Sequence, residues 1–178
     1  MNGKYEIFKN RIELGLKQPL KILHVTDSHI VAFDERDNAR KRELGEKRRA
    51  AYDLGEKDRC RNIYLHLADY AEKNCDLMVH TGDMIDFVSY RGCEVLKEML
   101  DGRRYIFAVG NHEFSKYVGE APETFDYKMQ NYSKIQCVLR DNIDFCPHII
   151  GGINFITLDN SYGTYSHKQL QLLKAEVK

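Results

Sequence analysis

No apolar run in this chain approaches the roughly 20 residues that a membrane-spanning helix needs. The opening Met1-Asn2-Gly3-Lys4-Tyr5-Glu6 lacks the basic-then-apolar pattern of a secretory leader. None of the five cysteines (Cys60, Cys75, Cys93, Cys137, Cys146) belongs to a C-x-x-C pair, and an odd count without a leader reads as reduced thiols in a cytoplasmic protein. Excess charge of either sign is missing too. Lysine plus arginine number 27, as do aspartate plus glutamate, so no global field draws the chain to nucleic acid or an anionic membrane. A basic-aromatic stripe is also absent, which counts against a nuclease. Repeats and low-complexity segments do not occur. What is present is an ordinary globular composition, 43% hydrophobic and 30% charged over 178 residues, enough for one domain with a real core.

Three short polar stretches stand out against that background. They are Asp27-Ser28-His29, Gly82-Asp83-Met84-Ile85-Asp86 and Gly110-Asn111-His112-Glu113. Each follows an apolar, β-prone run: Leu20 to Val25, Leu77 to Val79 and Tyr105 to Val109. Loops that follow strands of one parallel sheet converge at its carboxyl edge. Asp27, His29, Asp83, Asn111 and His112 are therefore expected in one place. Carboxylate oxygen, amide oxygen and imidazole nitrogen are the donors of hard-to-borderline divalent cations. The pattern points to a metal site.

Around these motifs, Tyr5 to Leu16 alternates loosely like an edge strand, broken by Pro19, and Leu20 to Thr26 reads as a buried strand. His24, inside it, reads as a packed histidine. Phe33 to Asn62 is long and charged, with Glu43 and Lys47 spaced for i,i+4 pairing. It is either a solvated surface helix or a lid whose arginines reach a substrate phosphate. It makes the first crossover, Asp27 to Asp83, twice as long as the second, Asp83 to Asn111. Helices are expected over Arg59 to Lys73 and Glu94 to Leu100, from Pro122 to about Tyr132, and from Lys168 to about Val177 under a Ser166 cap. Leu170, Leu172, Leu173 and Val177 are the expected contacts of the last helix. Further strands are read at Asp76 to His80, Arg104 to Val109, Ile135 to Leu139, Ile149 to Ile150 and Ile153 to Leu158, with Gly151-Gly152 as a hairpin turn. His66, His148 and His167 read as surface or packing residues, and His80 points away from its motif neighbours.

The ordered set D-x-H, G-D-x-x-D and G-N-H-[DE] resembles the calcineurin-like metallophosphoesterases, and every motif position in this part is matched. The resemblance implies an α/β fold, a calcineurin-like phosphoesterase sandwich of two packed sheets flanked by helices. It implies two divalent cations, manganese, iron or zinc, that polarise phosphoryl oxygens and hold a nucleophilic hydroxide between them. Asp27 and His29 would bind the first metal, Asp83 would bridge, and Asn111 would bind the second. His112 would protonate the leaving alkoxide or stabilise phosphoryl charge, and Asp86 would hydrogen-bond His112 and raise its basicity. Glu113 reads as a residue that fixes its loop.

The family completes its centre with three further histidines, one following a helix that corresponds to His167 to Val177 and two in a G-H-x-H motif. No G-H-x-H occurs here. The expectation is a single domain over residues 1–178, shortened at the carboxyl end and poorly active by itself. The arginines that clamp a phosphomonoester in the family's protein phosphatases are replaced by Phe87 and Val109. That favours a phosphodiester or a small nucleotide-like substrate over phosphoprotein. The alternatives are a non-catalytic binding module on the same scaffold and a nuclease.

Overall fold

The computed structural model describes residues 6–119 and 124–177. Three strands form a parallel sheet in the order β1-β2-β3: β1 (Ile22–Val25), β2 (Leu77–Thr81) and β3 (Tyr105–Ala108). The register runs Val25 beside His80 and His80 beside Phe107. Parallel strands need long crossovers, here α1 (Ala39–Asp53) with α2 (Arg59–Asn74), then α3 (Tyr90–Leu100). After β3 come a 3-10 turn (His112–Phe114), α4 (Phe125–Val138), the antiparallel hairpin β4 (Phe145–Ile150) and β5 (Ile153–Leu158), and α5 (His167–Glu176). The result is a mixed α/β domain with two sheets and five helices, as expected.

The core gathers around β2. Met78 shares one buried cluster with Tyr64, Ala68 and Ala71 of α2, Val95, Leu96 and Met99 of α3, and Met84, Ile85 and Phe114 from the loops. β1 is not the buried strand expected of Leu20 to Thr26, because Ile22 stays 39% exposed on an edge strand. Gly151 and Gly152 both take positive φ, 59° and 83°, as a two-residue primed hairpin turn requires.

Several expectations are corrected. Residues 6–16 form no strand: Phe8 and Ile12 remain 82% and 80% exposed, and Tyr5 lies outside the described residues. Pro122 also lies outside the described residues. Thr124 caps α4 instead, accepting a hydrogen bond from the Tyr127 backbone N–H. Ile135 to Val138 belongs to that helix, not to a strand, because Asn131 and Ile135, one turn apart, share its buried face. Helix α3 starts at Tyr90 under a Ser89 cap, earlier than expected. Helix α5 carries the expected Ser166 cap, completed as a capping box by Gln169. Of its expected apolar contacts, Leu170, Leu172 and Val177 are exposed and only Leu173 is half-buried. The helix is tied down by Gln169, whose Nε2 donates to the carbonyls of Asp144 and Asp159, both at 2.8 Å.

Candidate metal centre

The β1–β2 pairing does not stop at the strand ends. The backbone N–H groups of Asp27, His29 and Ile30 donate to the carbonyls of Gly82, Asp83 and Met84 at 3.1, 2.9 and 2.8 Å. The first two motif loops are thus zipped side by side. Asp27, His29 and Asp83 all sit at positive φ, 52°, 42° and 56°. Left-handed backbone at non-glycine residues is strained and persists where surrounding structure enforces it, often at functional sites.

Glu113 binds the second loop to the third. Its fully buried carboxylate accepts the backbone N–H groups of Asp83, Met84, Ile85 and Gly110, between 2.7 and 3.2 Å. Burial pushes this carboxyl up to about 7, against the pull of the N–H donors toward the charged form. Glu113 therefore fixes loops, as read from the sequence. Gly110 is obligatory at the junction, since a Cβ there would lie 2.1 Å from Asp83 Oδ1. The next residue is Asn111. The one after it, His112, donates its backbone N–H to Asp83 Oδ1 at 3.0 Å.

The ligand atoms of Asp27, His29 and Asp83 fall within 4.8 Å of one another, and those of His29, Asp86 and His112 form a second such group. His29 belongs to both. Its Nδ1 lies 3.1 Å from Asp86 Oδ1. An ionised carboxylate only accepts, so Nδ1 carries the proton and Nε2 presents its lone pair toward Asp27 and Asp83. The donors thus fit a divalent cation: two carboxylates and an imidazole whose tautomer is already set for coordination.

Asp86 is completely buried and serves three partners. Arg48 forks onto it, Nε to Oδ2 and Nη2 to Oδ1, both at 2.7 Å. His29 takes Oδ1. His112 Nδ1 donates to the Asp86 main-chain carbonyl at 2.7 Å and lies 3.4 Å from the carboxylate. So His112 leans more on the backbone of Asp86 than on its side chain. Burial would raise the Asp86 pKa, but the hydrogen bonds of Arg48, His112 and His29 outweigh it and hold the carboxyl well below its usual range. For His112, burial disfavours the charged ring, yet the bonds to Asp86 and the nearby Asp83 charge raise its pKa above the ordinary value.

Arg48 and Tyr52 were not singled out by the sequence. Tyr52 stacks flat on His29, with ring centroids 4.8 Å apart, and its hydroxyl accepts from Arg48 Nη2 at 3.0 Å. Both come from α1, in the charged Phe33 to Asn62 stretch. That helix is exposed along much of its length, but one edge lies over the centre. Arg48 does not reach out for a phosphate, because Asp86 occupies its fork. Arg49, next along, turns the other way and lines a cavity of about 210 Å³ with Arg61 and Arg91. Phe87 and Val109 are buried, 2% and 5% exposed, and present no cation to a substrate. His24 is exposed and its Nε2 bonds Thr81 Oγ1 at 2.8 Å, outside the centre. His80 is fully buried and stacks on Phe107. The five cysteines are free, and no helix among the described residues is long and apolar enough to cross a membrane.

The family model for calcineurin-like phosphoesterases matches residues 20–175, which takes in every residue of this centre. A search of curated proteins finds no match to the chain.

Proposed function

Because the chain belongs to the calcineurin-like phosphoesterase family, whose members hydrolyse phosphate esters with divalent metals, we propose that Asp27, His29, Asp83 and Asn111 hold two divalent cations and that the substrate is a phosphodiester or small nucleotide-like ester. One observation carries this reading: the donors of Asp27, His29 and Asp83 converge within 4.8 Å from two different strand ends. Divalent cations bound there supply Lewis-acid activation of the phosphate and of water.

The protein's own residues do the rest. Asp83 sits between the loops and would be the carboxylate shared by the two cations. Asn111 adds a neutral oxygen, which limits the anionic charge that phosphate must approach. Asp86 holds His29 in its coordinating tautomer, and Arg48 keeps Asp86 ionised. His112 is fixed at Nδ1 by the Asp86 carbonyl, so Nε2 is its free end. With its pKa raised, it carries a proton at that end and delivers it to the departing alkoxide. Buried Phe87 and Val109 offer no clamp for a phosphomonoester dianion, which favours a diester.

The test is metal-dependent hydrolysis of bis-p-nitrophenyl phosphate against p-nitrophenyl phosphate. The diester should be preferred, and Asp83→Asn should abolish turnover together with metal binding. Unchanged metal content in Asp83→Asn would remove Asp83 from the ligand set. Preference for the monoester would overturn the substrate assignment while leaving the metal centre standing.

A further inference from the structure

We propose that Asp141, Cys146 and His148 form a second, mononuclear metal site, built for a borderline-soft divalent cation such as zinc. The three lie together at the start of the β4–β5 hairpin. Cys146 and His148 are two apart on β4 and so share one face of the strand. Asp141 comes from the turn that leads into it. Sγ, the ring nitrogen and a carboxylate oxygen lie within 4.8 Å of one another.

Neither His148 nor Cys146 is fully committed elsewhere. His148 Nε2 is buried and has no hydrogen-bond partner among the described residues. It lies 3.7 Å from Asp141 Oδ2, too far for a hydrogen bond. Ligand bonds of about 2.0–2.3 Å in a tetrahedral zinc site place donors roughly 3.3–3.8 Å apart, and the His148–Asp141 gap falls in that range. The Cys146 thiol reaches the carbonyl of the following Pro147 only at 4.0 Å and faces the backbone N–H of Asn142. Asp141, by contrast, is held in place from outside. Arg140 contacts its two oxygens at 3.1 and 3.2 Å, and Gln136 Nε2 donates to its carbonyl at 3.0 Å. Support of a ligand from behind is the usual companion of a metal site.

The donor set selects the cation. Thiolate, imidazole and carboxylate together suit zinc and disfavour magnesium or calcium. One thiolate and one carboxylate balance a dication, and three protein ligands leave the fourth position to water. The site is separate from the first centre. Arg140, which holds Asp141, also donates to the carbonyl of Tyr105 at the first residue of β3, whereas Asn111 and His112 follow its last. The first centre contains no sulfur donor, and that difference makes the two distinguishable.

Metal-free, reduced protein would be titrated with cobalt(II) alone and then with zinc(II). The expected result is a sulfur-to-cobalt charge-transfer absorption in the near ultraviolet with intense visible bands of tetrahedral cobalt, both displaced by zinc. Cys146→Ser and His148→Gln should each lose one equivalent of sulfur-ligated cobalt, while Cys137→Ser and Asp83→Asn keep it. Alkylation of the unsubstituted protein supplies a test that no folding defect can obscure: zinc should slow modification of Cys146, followed by mass spectrometry, more than that of exposed Cys137. Cobalt bound without a sulfur band, the same band in Cys146→Ser, or alkylation of Cys146 indifferent to zinc would each overturn the site.

Discussion

Asp86 is a carboxylate with three claims on it, and separating them makes distinct predictions for its neighbours. Its side chain serves Arg48 and His29 and lies 3.4 Å from His112 Nδ1, while its main-chain carbonyl takes the shorter bond from His112 at 2.7 Å. Asp86→Asn removes the charge but leaves the carbonyl in place. The variant should therefore lose metal affinity through a misdirected His29, by roughly 10–100-fold, and at saturating metal should retain most of its turnover. Metal titration of the rate measures this; a variant with normal metal affinity but low saturating turnover would show that the carboxylate acts chiefly on His112. His112→Ala should keep metal and lower the rate by roughly 10²–10⁴ on an alkyl ester. The loss should shrink on a p-nitrophenyl ester, whose leaving group needs no proton. Because His112 acts in its protonated form, the alkyl-ester rate should fall as pH rises through the titration of His112 in the metal-loaded enzyme. Equal losses on the two esters would leave His112 as an electrostatic residue and not an acid. These candidates were legible from the sequence because carboxylate, imidazole and amide side chains are usual ligands of hard-to-borderline cations, and here they stand together at strand ends. Arg48 was not, because Lys47-Arg48-Arg49 has the composition of any solvated helix face. Nothing in the sequence separates the arginine that turns inward from the two neighbours that do not.

Helix α1 carries Arg48 and Tyr52 to the centre, and its placement depends on a glycine. Gly45 is buried against Phe33, whose ring would stand 2.3 Å from a Cβ at that position. In an exposed helix, Gly→Ala stabilises by about 0.5–1 kcal/mol. Here Phe33 cannot retreat freely, since Arg49 lies over its ring at 4.3 Å. Gly45→Ala should therefore destabilise, by about 1–3 kcal/mol for overpacking, and should weaken metal binding by displacing Arg48 one turn further on. Thermal unfolding with a parallel metal titration tests it; a stabilised variant with normal metal affinity would mean that α1 is not seated on Phe33. At this scale the sequence was a good guide wherever one signal stood alone. β5, α2 and the Gly151-Gly152 turn fall where pattern and punctuation place them. It misled where two signals competed. Ile135 to Leu139 is β-prone by composition, yet Asn131 and Ile135 make it the buried turn of a helix. In α5 the leucines suggested an apolar contact face, but only Leu173 is half-buried, and a capping box, Gln169 and a bond from Asn154 to Glu176 hold the helix.

Across the whole molecule, the centre and the core are joined through His80. The ring is fully buried in β2 between Tyr64 and Phe107, and its Nε2 meets Ser28 Oγ of the first motif loop at 3.0 Å. Burial holds its pKa down to about 3, whereas in the unfolded chain it titrates near 6.5. Between those values the unfolded chain takes up a proton that the fold refuses. The contribution of His80 to stability is thus complete above 6.5 and is lost as pH falls toward 3, with a slope approaching ~1.4 kcal/mol per pH unit. Other groups titrate alongside it. Glu113, raised to about 7, acts in the opposite sense, favouring the fold as pH drops from 7 toward its ordinary value. Asp86, held low, adds acid sensitivity only where free carboxylates begin to protonate. A comparison with His80→Gln cancels both, because each variant retains them. In metal-free protein the substitution should lower stability at pH 7.5, where the ring is packed and neutral, yet flatten the decline between about pH 6 and 4.5. The two curves of unfolding free energy against pH, measured by denaturant titration, should converge in acid. Parallel curves would mean that the core admits a proton at His80, and that the acid sensitivity of this fold lies in its carboxylates.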